Sequence, residues 1–196
     1  QFIDKYNQSQ PEKAIIAQMK KIFRLFTLPV FATILFLCAG FLVFPSSGRD
    51  DSFITYWAVY SLGKWGHIIN YNFQPVEQSS SMAHVILAGL FSALLHVNPV
   101  IIGRLTAILS GIGSIWAVDL ISQKSKLPQV TLLLLAINPI FIYWSFGGLE
   151  TSLGALGWIL FIYFQSSFIM ENRQIWPAIF ACLLVLITRP ENPIII

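Results

Sequence analysis

"MAHVILAGLFSALLH", Met82–His96, decides how this chain is arranged. It is an unbroken apolar stretch of about fifteen residues, roughly 22 Å of helix at ~1.5 Å per residue. A bilayer core is about 30 Å thick, so the stretch reads as a half-buried or re-entrant helix. If it does not cross, residues 1–27, Ser122–Lys126 and Glu171–Gln174 lie on one side. That side then holds Lys5, Lys13, Lys20, Lys21, Arg24, Lys124, Lys126 and Arg173, eight of the 12 basic residues. Arg49, Lys64, Arg104 and Arg189 lie on the other. If it crosses, Lys124 and Lys126 change sides and Glu150 is separated from Asp50. The excess of Lys and Arg expected in cytoplasmic loops favours the first arrangement.

The composition requires a membrane reading. Of 196 residues, 56% are hydrophobic and 11% charged, with a mean hydropathy of +0.70. Soluble domains carry about a quarter charged residues. The expected fold is therefore all-α, a polytopic bundle of transmembrane helices with amphipathic juxtamembrane helices in its first outer loop. Residues 1–27 are polar and basic, with apolar positions at helical spacing, and read as a cytoplasmic amphipathic segment. Residues 28–196 read as the transmembrane domain. Leu28–Phe44, Pro99–Ile121, Leu127–Trp144 and Thr151–Met170 are expected spans, and Trp176–Thr188 begins another. The outer loop, 45–98, contains a helix over Ser52–Lys64, where Phe53, Tyr56, Trp57 and Tyr60 recur at helical spacing and Gly66 ends the pattern. Tyr and Trp suit the membrane interface. The first residue is Gln1 and the last residues are "NPIII", so a longer parent protein is expected. With a polar start and no small-residue cleavage site after the first apolar stretch, no secretory signal is expected at Gln1.

In this topology Asp50, Asp51, Glu77, Glu150 and Glu191 reach the outer face. They are five of the nine acidic residues, each beside a helix end. Carboxylates at membrane depth are costly and mark function. In "RDD", Arg49–Asp51, one aspartate suffices to cap a helix. A second adjacent carboxylate exceeds that need, and like charges this close favour a proton acceptor working near neutral pH. Arg49 is placed to hold an anionic group. "GHIINYNFQPVEQSSS" reads as a turn-rich loop, with Ser80 or Ser81 available to cap the helix at Met82. In "SFGGLET", Gly147 and Gly148 break the apolar pattern before Glu150, at a helix start whose N–H groups suit either an acidic side chain or a phosphate. In "ITRPENP", Arg189 and Glu191 stand in an apolar run, as a packing pair or a functional one.

Other chemistry is excluded. His67, His84 and His96 lack metal-ligand spacing, and no metal site is expected. No P-loop, GxGxxG or GxSxG occurs, and nothing points to nucleic acid. Cys38 and Cys182 lie in apolar runs and read as packing residues. Nothing in the sequence requires a divalent cation, and nothing excludes one.

Taken in order, the four motifs resemble those of GT-C class membrane glycosyltransferases, most closely the lipid-phosphate arabinofuranosyltransferase-like family. Asp50, Asp51, Phe53 and Ile54 match its first element. Asn70 or Asn72, Val76, Glu77 and Ser81 match the second, Gly148, Leu149, Glu150 and Thr151 the third, and Thr188, Arg189, Pro190 and Glu191 the fourth. The likeness covers roughly residues 28–193. Gln78, Asn192 and the Phe73–Gln74 pair stand where the family has glycine, which leaves the sugar open. The resemblance implies an inner-membrane enzyme with its active site facing outward. It would transfer a sugar from a polyprenyl-phosphate donor to a glycan, lipid or protein acceptor. It further implies Asp50 or Asp51 as general base, with Asp50 favoured by its place nearer the membrane boundary. Arg189 and Arg49 would contact the phosphate. Glu77, Glu150 and Glu191 would bind sugar hydroxyls or orient the arginine, with Asn70, Asn72 and Ser81 beside them. The alternative is a transporter or flippase of lipid-linked or anionic substrates, which intramembrane Arg189 and Glu191 also suit.

Overall fold

The computed structural model describes the backbone of residues 10–45, 50–75, 79, 81–125 and 127–189. It describes the side chains among them from Thr27 onward, that of Asp50 excepted. Among the described residues the fold is all helix. The elements are α1 (Gln10–Val43), α2 (Asp50–Trp65), α3 (Met82–Leu95), α4 (Pro99–Ser125), α5 (Val130–Ala136), α6 (Pro139–Phe146), α7 (Thr151–Glu171) and α8 (Trp176–Thr188).

Local chemistry sets most boundaries. Gly66, at φ 75°, ends α2. Ser81 starts α3 by accepting the His84 N–H at 3.2 Å, and Asn98 starts α4 by accepting the Val100 N–H at 2.9 Å. His96 (φ 53°) and Asn172 (φ 50°) close α3 and α7 in the left-handed conformation.

Two expected boundaries differ. The described part of the amphipathic segment, from Gln10, and the first span form one 34-residue helix, α1. The expected span Leu127–Trp144 is two short helices instead. Pro139 lacks the N–H needed to continue α5, and the Asn138 side chain accepts the Ile140 and Phe141 N–H groups at 2.9 and 3.1 Å to start α6. Asn138→Ala leaves those donors uncapped and is expected to cost about 1 kcal/mol, readable as a lower thermal unfolding midpoint in detergent.

Helix α4 is the centre of the bundle. Phe36 and Ala32 from α1 pack with Ile108 and Ile115 of α4, Leu132 and Ala136 of α5, and Phe146 of α6. Gly40 makes room for that packing, since a Cβ there would lie 2.0 Å from the Phe146 ring. A second cluster joins Val59 of α2, Val85 and Ala88 of α3, and Ile102 of α4. Both α2 and α3 meet α4 at its first turns.

Cross-links order the two ends. Arg104 in α4 donates to the Phe44 carbonyl at 2.6 Å, and Trp116 to the Thr33 hydroxyl at 3.2 Å, so α1 runs antiparallel to α4. Lys124, at the end of α4, pairs with Glu171, at the end of α7, at 2.8 Å. Helices α4 and α7 therefore end together, and α7 begins where α1 finishes.

Helices α4 and α7 are long and apolar enough to cross a bilayer, by length and composition. Thr27–Val43, α3 and α8 are shorter apolar helices. Only 17% of the apolar window of α7 is buried, against 50% for α4. A helix that is apolar and mostly uncovered suits lipid better than water.

Candidate functional site

Helix α2 begins at the end of the bundle where α1 finishes, and its first turn carries Asp50 and Asp51. Asp51 is exposed and lines a cavity of about 310 Å³. Glu150 and Arg189 line the same cavity, with Ile54, Ser79, Trp144 and Leu149 completing the wall.

The turn that delivers Glu150 depends on Gly148, at φ 77°. Tyr56, one helical turn beyond Ser52 on α2, fixes this turn against α2. Its ring lies where a Gly103 Cβ would be, at 2.4 Å, and its hydroxyl is 1.8 Å from where a Gly148 Cβ would be. Two glycines from separate elements thus admit one tyrosine. Burial pushes the Tyr56 phenol above its ordinary value, while Ser52 and the Arg104 charge act the other way. It stays neutral at physiological pH. Gly148→Ala meets both the left-handed backbone and the hydroxyl, and is expected to cost at least about 2 kcal/mol. Adding Tyr56→Phe should recover part of that loss, because the nearest clashing atom is gone. Thermal unfolding of the two single variants and the double variant reads the coupling.

Glu150 is 1% exposed, at the start of α7. Its carbonyl accepts the Gly154 N–H at 2.9 Å, and Ser152 ties this turn to α4 by donating to the Ala107 carbonyl at 3.0 Å. The Arg189 Nη2 donates to Glu150 Oε1 at 2.9 Å and to Thr151 Oγ1 at 3.3 Å. Arg189 follows α8 in an extended conformation, φ −144° and ψ 136°. The proline after it disfavours a helical residue at this position. Helix α8 therefore stops at Thr188 and its next side chain turns to Glu150.

Of the residues singled out in the sequence, Asp51, Glu150 and Arg189 share this cavity. Asn70 does not line it. Its Oδ1 accepts the Asn72 and Gln74 N–H groups at 2.8 and 2.9 Å, closing a tight loop after α2. Asn72 is exposed on that loop. Ser81 is buried in its capping role. Arg49, Glu77, Glu191 and the Asp50 side chain lie outside the described residues.

Trp144 and Ser79 were not singled out, and Ile54 and Leu149 entered only as matches to the family motifs. Trp144 sits in an apolar run with no local sign of its place. Arg104, counted only as an outer-side cation, caps the end of α1 with its centre 5.8 and 5.9 Å from the Phe41 and Phe146 rings. Among the described residues no group of three or more His, Cys, Asp or Glu is placed to hold a metal ion.

The chemistry available is a carboxylate lining the same cavity as a guanidinium that a buried carboxylate holds in place. One can accept a proton and the other can attract an anion. No protein-family model, curated protein or solved structure matches this chain.

Proposed function

We propose that this chain belongs to an integral membrane glycosyltransferase that takes a sugar from a polyprenyl-phosphate donor to an extracytoplasmic glycan, lipid or protein acceptor. One observation carries the reading. Asp51, Glu150 and Arg189, from three separated motifs, line one cavity at one end of an apolar helical bundle. A lipid-linked donor presents its anomeric carbon one phosphate above the hydrocarbon, so the reacting groups belong at helix ends.

Asp51 takes the proton of the acceptor hydroxyl as its oxygen bonds to the anomeric carbon. The bond from that carbon to the phosphate oxygen breaks, and polyprenyl phosphate leaves with the electron pair. Phosphate is a good leaving group, so no strong general acid is required. Arg189, oriented by Glu150, stabilises the charge on the departing phosphate. Arg49 is a second cation for the same group.

The test is transfer of radiolabelled sugar from a polyprenyl-phosphate donor, by the full-length protein in proteoliposomes. Transfer is expected. Movement of the intact donor across the bilayer without transfer overturns the reading in favour of a transporter. The break between α5 and α6 at Asn138 is what favours that second reading. Orientation has its own test. In a background lacking Cys38 and Cys182, Ser47→Cys is expected to label from outside, and Ser125→Cys and Asn172→Cys from inside. External labelling at residue 125 reverses the topology.

A further inference from the structure

The opposite end of the bundle holds a second cavity, of about 430 Å³, between the last turns of α7 and the start of α8. Its polar wall is Ser167, Asn172, Arg173 and Gln174, and its apolar wall includes Phe164 and Pro177. Lys124 reaches this corner from α4. Its Nζ donates to Ser167 Oγ at 2.7 Å, pairs with Glu171 at 2.8 Å and lies 5.4 Å from the centre of the Tyr163 ring. The Arg173 Nε pairs with the other Glu171 oxygen at 2.8 Å, while the Arg173 side chain stays 66% exposed. Two cations thus share one carboxylate, which leaves one positive charge uncompensated among these three residues.

The surroundings point to lipid. Ile169, Met170, Trp176 and Phe180 around this turn are all more than 60% exposed. Helix α7 has 21 residues, roughly 32 Å at ~1.5 Å per residue. That matches a hydrocarbon core of about 30 Å and puts its end at headgroup level. A phosphodiester headgroup supplies the single negative charge, and its acyl chains have the exposed apolar residues to lie on.

We infer that the cavity at the α7–α8 turn binds the phosphodiester headgroup of an anionic phospholipid through Arg173, with Lys124 adding charge beneath it. The site is at the other end of the molecule from Asp51 and does not depend on the reaction proposed above.

The test compares lipid retention by the purified full-length protein in neutral detergent, using native mass spectrometry. Phosphatidylglycerol and phosphatidylcholine with the same acyl chains are titrated against the wild type, Arg173→Gln and Lys64→Gln. Arg173 is mostly exposed, so its replacement leaves packing intact. Phosphatidylglycerol is expected to bind the wild type more tightly than phosphatidylcholine. Arg173→Gln should weaken phosphatidylglycerol about five- to tenfold and leave phosphatidylcholine unchanged. Lys64→Gln, on α2, should bind like the wild type. Equal retention of both lipids, or an Arg173→Gln variant that matches the wild type, overturns the site. An equal loss in Lys64→Gln also overturns it, since the attraction is then diffuse. Displacement of phosphatidylglycerol by inorganic phosphate at the same concentration shows a soluble-anion site and overturns the lipid assignment.

Discussion

Asp51→Asn is expected to lower sugar transfer by about two to four orders of magnitude, the usual contribution of a general base. The change keeps the size and shape of the side chain and removes only its capacity to take a proton. Because Asp51 is exposed, nothing buried is left unsatisfied. The stability cost should stay below about 1 kcal/mol, from the lost attraction between a carboxylate and the positive start of α2. A transfer rate within threefold of the wild type, with an unchanged unfolding midpoint, sinks the assignment. Asp50→Asn is the matched comparison, since Asp50 was favoured by its position in the sequence. A loss confined to that variant moves the proton acceptor to Asp50. A loss in neither variant, with transfer intact, leaves the two aspartates as helix-start residues only.

Arg189→Ala is expected to produce the largest loss of stability, about 3 kcal/mol. Glu150 is 1% exposed and Arg189 Nη2 sits 2.9 Å from its carboxylate. Removing the cation leaves a carboxylate in a site with little access to water. Breaking such a pair costs more than the pair itself contributes, because desolvation of the remaining charge is no longer offset. The value is set at the low end of the usual range because Arg189 is 37% exposed and partly screened by solvent. Adding Glu150→Gln should recover much of the loss, since a neutral amide has no net charge to stabilise. Glu150→Gln alone should cost less than Arg189→Ala. Chemical denaturation of the three variants in mild detergent gives the coupling directly. Additive single losses show that the two side chains do not act as a pair. Transfer should fall in all three variants, through the lost orientation of the guanidinium.

Much of the helical pattern is readable from local residues. Ser52–Lys64 lies within α2, Met82–His96 became α3 at nearly the expected limits, and Gly66 ends its helix as expected. Each of these depends on a short apolar repeat and one boundary residue. Leu127–Trp144 failed because a composition average passes over one Asn-Pro pair, whereas the backbone cannot. Asn70 and Asn72 were expected beside the substrate through the family likeness; Asn70 closes a loop and does not line the cavity. An asparagine in a turn serves either purpose, and only its partners distinguish them.

The sequence by itself determined that the chain is helical and apolar, and that five of its nine acidic residues fall beside expected helix ends. These follow from residue type and from periodicity within one or two turns. Only the tertiary structure decided which of those carboxylates meet. Asp51, Glu150 and Arg189 are distant in the chain, and their meeting depends on Tyr56 fitting against Gly103 and Gly148. It also decided that Arg189 belongs to Glu150, and that Lys124 meets Glu171 at the far end. Pairings of this kind depend on how helices pack side by side, and close packing of unlike shapes leaves no local pattern to read.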